Sequence, residues 1–238
     1  MRITKTLFIS AVLLMSATGL QAAGFIQKGN YLTVQMKEHQ NYGPSQIRLQ
    51  VVNDQIIRVQ ATAEQSFRNK QSLIIVPQNS KANYKVEEQG DKLIITTAAM
   101  RAVLNEATGQ ITFYDLKDNV LLNEVAQGGK TFKPFTVPDR EIGVDIAKVP
   151  EAQKHGWSWR ALFDSPDNEA FYGLGQHQSE ELNMKGKNED LFQYNTKVSV
   201  PFVVSNKNYG ILWDSYSYCR WGNPDDYLQL NHAFKLYD

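Results

Sequence analysis

Carboxylates, imidazoles and indoles are the side chains here that could do chemistry, and their spacing limits what that chemistry is. Four histidines, His39, His155, His177 and His232, are scattered and share no metal-ligand spacing with one another or with the single cysteine, Cys219. No metal site is therefore expected, and nothing in the sequence asks for a cofactor. One cysteine cannot close an internal disulfide, so Cys219 reads as a small core residue. The acidic pairs Glu180-Glu181 and Glu189-Asp190 lack the alternating oxygen ligands of a calcium loop and read as a solvated face. His177 stands between Gln176 and Gln178 with no carboxylate in the adjacent sequence. A structural or loop-positioning role is expected for it rather than acid–base work. Trp157 and Trp159 are two residues apart, so on a strand both indoles share a face. That arrangement is either a stacking platform for sugar rings or, more commonly, core or edge packing.

These groups must be held by β-structure. Residues 31–36, 46–52, 56–61, 92–97, 100–104, 111–114 and 120–122 alternate or stay apolar over strand lengths. Turn signals at Asn53-Asp54, at Asn105-Glu106-Ala107-Thr108-Gly109 and at Asp118-Asn119 separate them. Met100, Ala102 and Leu104 fall on one strand face. Helical periodicity of useful length is absent from the mature sequence, which predicts an all-β fold, an antiparallel β-sandwich of hairpins in series. With 238 residues, 42% of them hydrophobic, one large domain can bury a sizeable core. Residues 134–168, punctuated by Pro134, Pro138, Pro150 and Pro166, give only one strand candidate, at 157–163.

Residues 1–23 read as a secretory signal peptide. Arg2 and Lys5 precede the apolar segment 7–15, and Leu20-Gln21-Ala22-Ala23 offers small residues for cleavage. The apolar segment is short for a bilayer span, and no cysteine near the cut could carry a lipid. An exported protein, periplasmic and without a membrane anchor, is the expectation. Lys plus Arg and Asp plus Glu each number 25, so there is no basic excess to neutralise phosphates and no nucleic-acid partner is expected. A neutral surface rich in Tyr, Trp, Asn and Gln suits an uncharged ligand such as a glycan better.

The most organised pattern lies in residues 171–216. Phe171-Tyr172 leads into a glycine turn, Gly173-Leu174-Gly175, and a polar charged loop follows. Val198, Val200, Phe202, Val203 and Val204 re-enter sheet, and after Ser205-Asn206-Lys207-Asn208 comes Tyr209-Gly210-Ile211-Leu212-Trp213. The ordered pieces Tyr172-Gly173-Leu174-Gly175, Asn195-Thr196, Pro201-Phe202 and Asn208-Tyr209-Gly210-Ile211 make this stretch resemble the N-terminal β-sandwich of glycoside hydrolase family 31. Residues 191–202 and 208–217 resemble the bacterial α-xylosidases of that family, which act on xyloglucan-type side chains. Looser matches at Ile56-Ile57-Arg58-Val59 and at 108–122 extend the resemblance over essentially the whole mature chain. It implies a galactose-mutarotase-like supersandwich, with residues 24–238 as one N-terminal domain.

In the family, a loop between two late strands reaches over the active site, where an acidic residue of some α-glucosidases contacts the sugar. The matching positions are Gln193, Tyr194, Asn195, Thr196 and Lys197, with Lys197 standing where those α-glucosidases have Asp. Asn195 can donate to and accept from sugar hydroxyls, Tyr194 can stack on a ring and Lys197 can donate. The other reading is a solvated loop whose Asn caps a turn. Retaining hydrolysis needs two carboxyl groups about 5 Å apart, and family 31 carries both on a (β/α)8 barrel after the sandwich. No strand and helix alternation occurs here, and no Trp-x-Asp-x-x-Glu segment; Trp213-Asp214-Ser215-Tyr216-Ser217 starts alike but lacks the glutamate. No catalytic residue is therefore assigned. The catalytic barrel is absent from these residues, and the chain is expected to be the truncated front part of an α-xylosidase, its partners an oligosaccharide substrate and the missing barrel. Competing readings are an α-glucosidase fragment, a stand-alone carbohydrate-binding module using Trp157, Trp159 or Trp221, and a sugar mutarotase, for which no convergent His and Glu pair is found.

Overall fold

The structure is a computed structural model that describes residues 24–36, 42–68, 71–77, 82–127, 129–136, 146–148, 150–151, 155–177, 181–193, 195–215 and 217–222. The expected leader, Tyr194 and the terminal residues 223–238 lie outside the described residues. Strands β1 (Phe25–Lys28), β2 (Tyr31–Gln35), β3 (Gln46–Asn53) and β4 (Ile56–Thr62) form one antiparallel sheet in chain order. A second sheet, also antiparallel and in chain order, contains β5 (Lys85–Gln89), β6 (Lys92–Thr96), β7 (Arg101–Asn105), β8 (Ile111–Tyr114) and β9 (Val120–Asn123).

Alternation explains why these two sheets pack face to face. Along β2 and β3, Leu32, Val34, Ile47, Leu49 and Val51 point to one side and are buried, while Tyr31, Thr33, Arg48 and Gln50 are only partly covered. Leu93, Ile95, Leu104 and Ile111 of the second sheet meet them in one apolar cluster, the signature of a sandwich. Each such side chain stabilises the fold by about 1.5–3 kcal/mol relative to exposure. The hairpin turns are built by the residues that announced them. Asn53 Oδ1 accepts from Gln55 N–H at 2.9 Å, and Asn105 Oδ1 accepts from Ala107 and Thr108 N–H at 2.9 and 3.1 Å. These are Asx turns, in which the side chain stands in for a backbone acceptor.

The later chain makes smaller sheets. β10 (Lys130–Thr136) pairs antiparallel with β11 (His155–Ala161), setting Pro134 opposite Trp157 and Phe132 opposite Trp159. A three-residue 3-10 turn, Ile146–Lys148, lies between them in sequence. β12 (Phe171–Gln176), β14 (Val198–Ser205) and β15 (Tyr209–Leu212) form a sheet with β14 central, and β13 (Glu189–Leu191) pairs with β16 (Cys219–Trp221). Phe171, Leu174, Met184, Leu191 and Val203 bury a second core, flanked by Trp213, Cys219 and Trp221.

Side-chain ion pairs are among the links between these parts. Asp214, just past β15, pairs with Arg58 of β4 at 2.5 Å and accepts from Ser72 Oγ at 2.5 Å. Lys130 of β10 is buried against Glu124, whose Oε2 also accepts Ile111 N–H at 2.9 Å. Burial pushes the Glu124 carboxyl up and the Lys130 ammonium down, and each is pulled back by the other's charge.

The glycine turn expected at Gly173-Leu174-Gly175 is instead part of strand β12. Pairing with β14 slips between Gly173 and Gly175, a β-bulge that places Leu174 at φ 68° and buries it completely. A Cβ on Gly173 would sit 2.5 Å from Phe202 O, and one on Gly175 would run into Val198 O. The glycines therefore permit close strand approach rather than chain reversal.

Candidate functional site

The loop between β13 and β14 carries the residues singled out by resemblance. Gln193, Asn195 and Thr196 are exposed, with Asn195 and Thr196 forming a turn. Tyr194 falls outside the described residues. Lys197 is different. Strand β14 alternates strictly, with Val198, Val200, Phe202 and Val204 outward and Val203 and Ser205 inward, and Lys197 falls on the inward phase. Its ammonium is buried and donates to Glu189 Oε1 and, at 2.5 Å, to Asp190 O. Gln193, Asn195 and Thr196 are thus each open to solvent, whereas Lys197 is buried.

Below the loop lies a polar cluster that the sequence does not announce. Glu189, read above as part of a solvated face, is largely buried and faces both Lys197 and His177. His177 does have a carboxylate neighbour: Nδ1 lies 3.1 Å from Glu189 Oε1, off the line a hydrogen bond requires. Its Nε2 contacts Leu174 O at 2.8 Å, and since a carbonyl only accepts, Nε2 carries a proton. Asp190 faces outward to Arg220, 3.2 Å away, and to the Tyr218 hydroxyl. Burial, and then the Asp190 carboxylate, pushes the Tyr218 phenol up to about 12. Phe192 meets the Tyr218 ring edge-on at 5.8 Å. A three-residue strand with two acids gives almost no sequence signal, and the cluster forms only because β12 pairs with β14, setting Gln176 opposite Val198, and β13 lies against β14.

The three tryptophans considered for stacking separate clearly. Trp157 and Trp159 project from the same face of β11 and remain 41% and 47% exposed. Trp221 instead packs edge-on against Phe171 at 5.2 Å and Trp213 at 5.6 Å, and its indole N–H donates to Met184 O at 2.9 Å. It is partly buried and packs against the second core. Asp214, in the segment that starts like the family's nucleophile motif, is occupied by Arg58 and Ser72. Cys219 is half-buried in the same core, and burial raises its thiol. Among the described residues, no group of three or more His, Cys, Asp or Glu side chains is placed to hold a metal ion.

Comparison with known proteins gives this arrangement a context. Residues 46–221 match the family model described as the glycosyl hydrolase 31 N-terminal galactose mutarotase-like domain. The crystal structure of a GH31 alpha-xylosidase from Xanthomonas citri superposes with a TM-score of 0.71 and 36% identity, covering 84% of this chain and 20% of that one. An alpha-xylosidase of Saccharolobus solfataricus is 25% identical over 185 residues, 74% of this chain and 23% of its own. An uncharacterized family 31 glucosidase of Pseudescherichia vulneris is 26% identical over 178 residues, 71% of this chain and 32% of its own. The chain thus spans a third or less of the length of these relatives.

Proposed function

The chain belongs to glycoside hydrolase family 31 as its N-terminal galactose mutarotase-like domain, and from that premise we propose that it serves an α-xylosidase releasing xylose from xyloglucan-type oligosaccharides. The observation that carries the reading is the 36% identity to the Xanthomonas citri alpha-xylosidase over 84% of the chain. The sandwich acts in substrate binding, with Gln193, Tyr194, Asn195 and Thr196 offered to the sugar and the catalytic carboxylates supplied by a barrel. One sheet face supports such a neighbour: Tyr172, Val198, Val200, Phe202, Val204 and Leu212 form an exposed apolar row, a surface that usually marks a docking site. Residues 1–23 direct export to the periplasm in this proposal.

The test is to express the protein from its native reading frame and measure hydrolysis of p-nitrophenyl α-xyloside and α-glucoside. Preference for the xyloside supports the proposal, and preference for the glucoside replaces it with the α-glucosidase alternative. Replacing Asn195 by Ala should raise KM for the preferred substrate about tenfold, since a hydrogen bond to a sugar hydroxyl is worth about 1 kcal/mol or slightly more.

The exposure of Trp157 and Trp159 on one face favours a second, compatible reading, a stacking platform that holds glycan away from the catalytic pocket. Titration calorimetry with xyloglucan oligosaccharides checks it, and Trp159→Ala should abolish the platform's share of binding.

A further inference from the structure

Three charged or polar side chains from three elements converge under the β13–β14 loop. Glu189 stands on β13, Lys197 at the entry to β14 and His177 just past the end of β12. All three are mostly buried, His177 and Lys197 by more than nine-tenths of their side chains. Lys197 spans the loop's two stems, since its ammonium donates both to Glu189 Oε1 and to Asp190 O. His177 packs beside this pair: its Nε2–H donates to Leu174 O of the bulged strand, and its Nδ1 lies 3.1 Å from Glu189 Oε1, off the line a hydrogen bond requires. Leu174 is itself held at φ 68° between two glycines whose Cβ positions are closed by β14 backbone. A carboxylate and an ammonium therefore tie the entry of β14 to β13, with the His177 ring, just past the bulged strand, packed beside them.

We propose that Glu189 and Lys197 are positioning residues that fix the presentation of Asn195 and Thr196, the ammonium acting on the loop from below rather than on a ligand from the loop. The inference rests on the reading that this loop meets the sugar. Lys197 cannot both close the stems and reach a ring above them: its side chain is only 9% exposed and its donors are directed at Glu189 and Asp190. An uncompensated charge in such a place is strongly unfavourable, so removing either partner should release the loop rather than leave it in place.

The experiment uses the protein from its native reading frame, with Lys197→Met, Glu189→Gln and the double variant. Amide hydrogen exchange is measured at residues 195–198, and KM and kcat on p-nitrophenyl α-xyloside. Each single variant is expected to speed exchange in the loop about tenfold or more while amides of β2 and β3 keep their rates, as local opening without global unfolding requires. The double variant should exchange no faster than the faster single, because the two residues act as one unit. KM should rise about tenfold with kcat within about twofold, the pattern of lost binding rather than lost chemistry. Unchanged loop exchange, acceleration spread equally over β2 and β3, or additive effects would overturn the proposal. If Lys197→Met does not fold, Glu189→Gln, which keeps the side-chain shape, decides alone by the same exchange readout. A wild-type protein without xylosidase activity counts against the functional reading only, since the exchange coupling still decides whether the cluster fixes the loop.

Discussion

Glu169 shows how single residues hold the second core. Its buried carboxylate accepts from Ser205 Oγ at 2.6 Å and from the Tyr209 hydroxyl at 2.5 Å, tying the turn before β12 to β14 and β15. Tyr209→Phe removes one donor and leaves the carboxylate under-satisfied, so unfolding in urea should show a loss of about 1–3 kcal/mol. The same phenol dictates a pH response. Burial, and then the Glu169 carboxylate, pushes Tyr209 above the ordinary tyrosine range, while Tyr218 is pushed up to about 12. A raised folded-state pKa means that the folded protein holds the proton more tightly than the unfolded chain. The associated stability is full below the ordinary tyrosine value of 10.0 and is lost as pH rises through about 12 and beyond. Thermal denaturation midpoints should therefore fall steeply above pH 10, and Tyr209→Phe should flatten part of that fall.

Elements explain where sequence patterns and structure part. Strands β2, β3 and β7 were legible because one face of each meets the core and alternation follows, and β4, β6, β8 and β9 because each is a short apolar run bounded by turn signals, all with ends within a residue or two of expectation. Strand β10 was not legible, since Pro134 lies within it. A two-stranded sheet tolerates this because one side of each strand needs no ladder partner. Strands β13 and β16 have three residues each, too few for a period. The bulge in β12 reads as a turn in sequence because glycines signal both. Its constraint is testable: Gly175→Ala would place Cβ against Val198 O at φ 101°. A cost of about 1–3 kcal/mol is expected from strain alone, with the added clash also visible as altered amide shifts at Val198 and Val200.

At the scale of the molecule, two ion pairs are among the links from the sandwich to the later sheets, and burial decides their worth. Lys130 and Glu124 have side chains only 10% and 5% exposed, so Lys130→Met strands a carboxylate and should cost about 3–5 kcal/mol. Arg58 at the other link is 34% exposed, and solvent screens the pair. Asp214→Ala should cost about 1–2 kcal/mol, read from the urea midpoint, with most of the loss in its hydrogen bonds. Sequence by itself determined the all-β class, the order of the early hairpins and the family, because each follows from local chemistry: alternation at period two, Asn and Asp turns, and a run of motifs in fixed order. Tertiary structure alone decided the inward aim of Lys197, its pairing with Glu189 and the packing of Trp221 against the second core. Those depend on the register between strands far apart in the chain, and shifting that register by one residue would turn every one of these side chains to the opposite face.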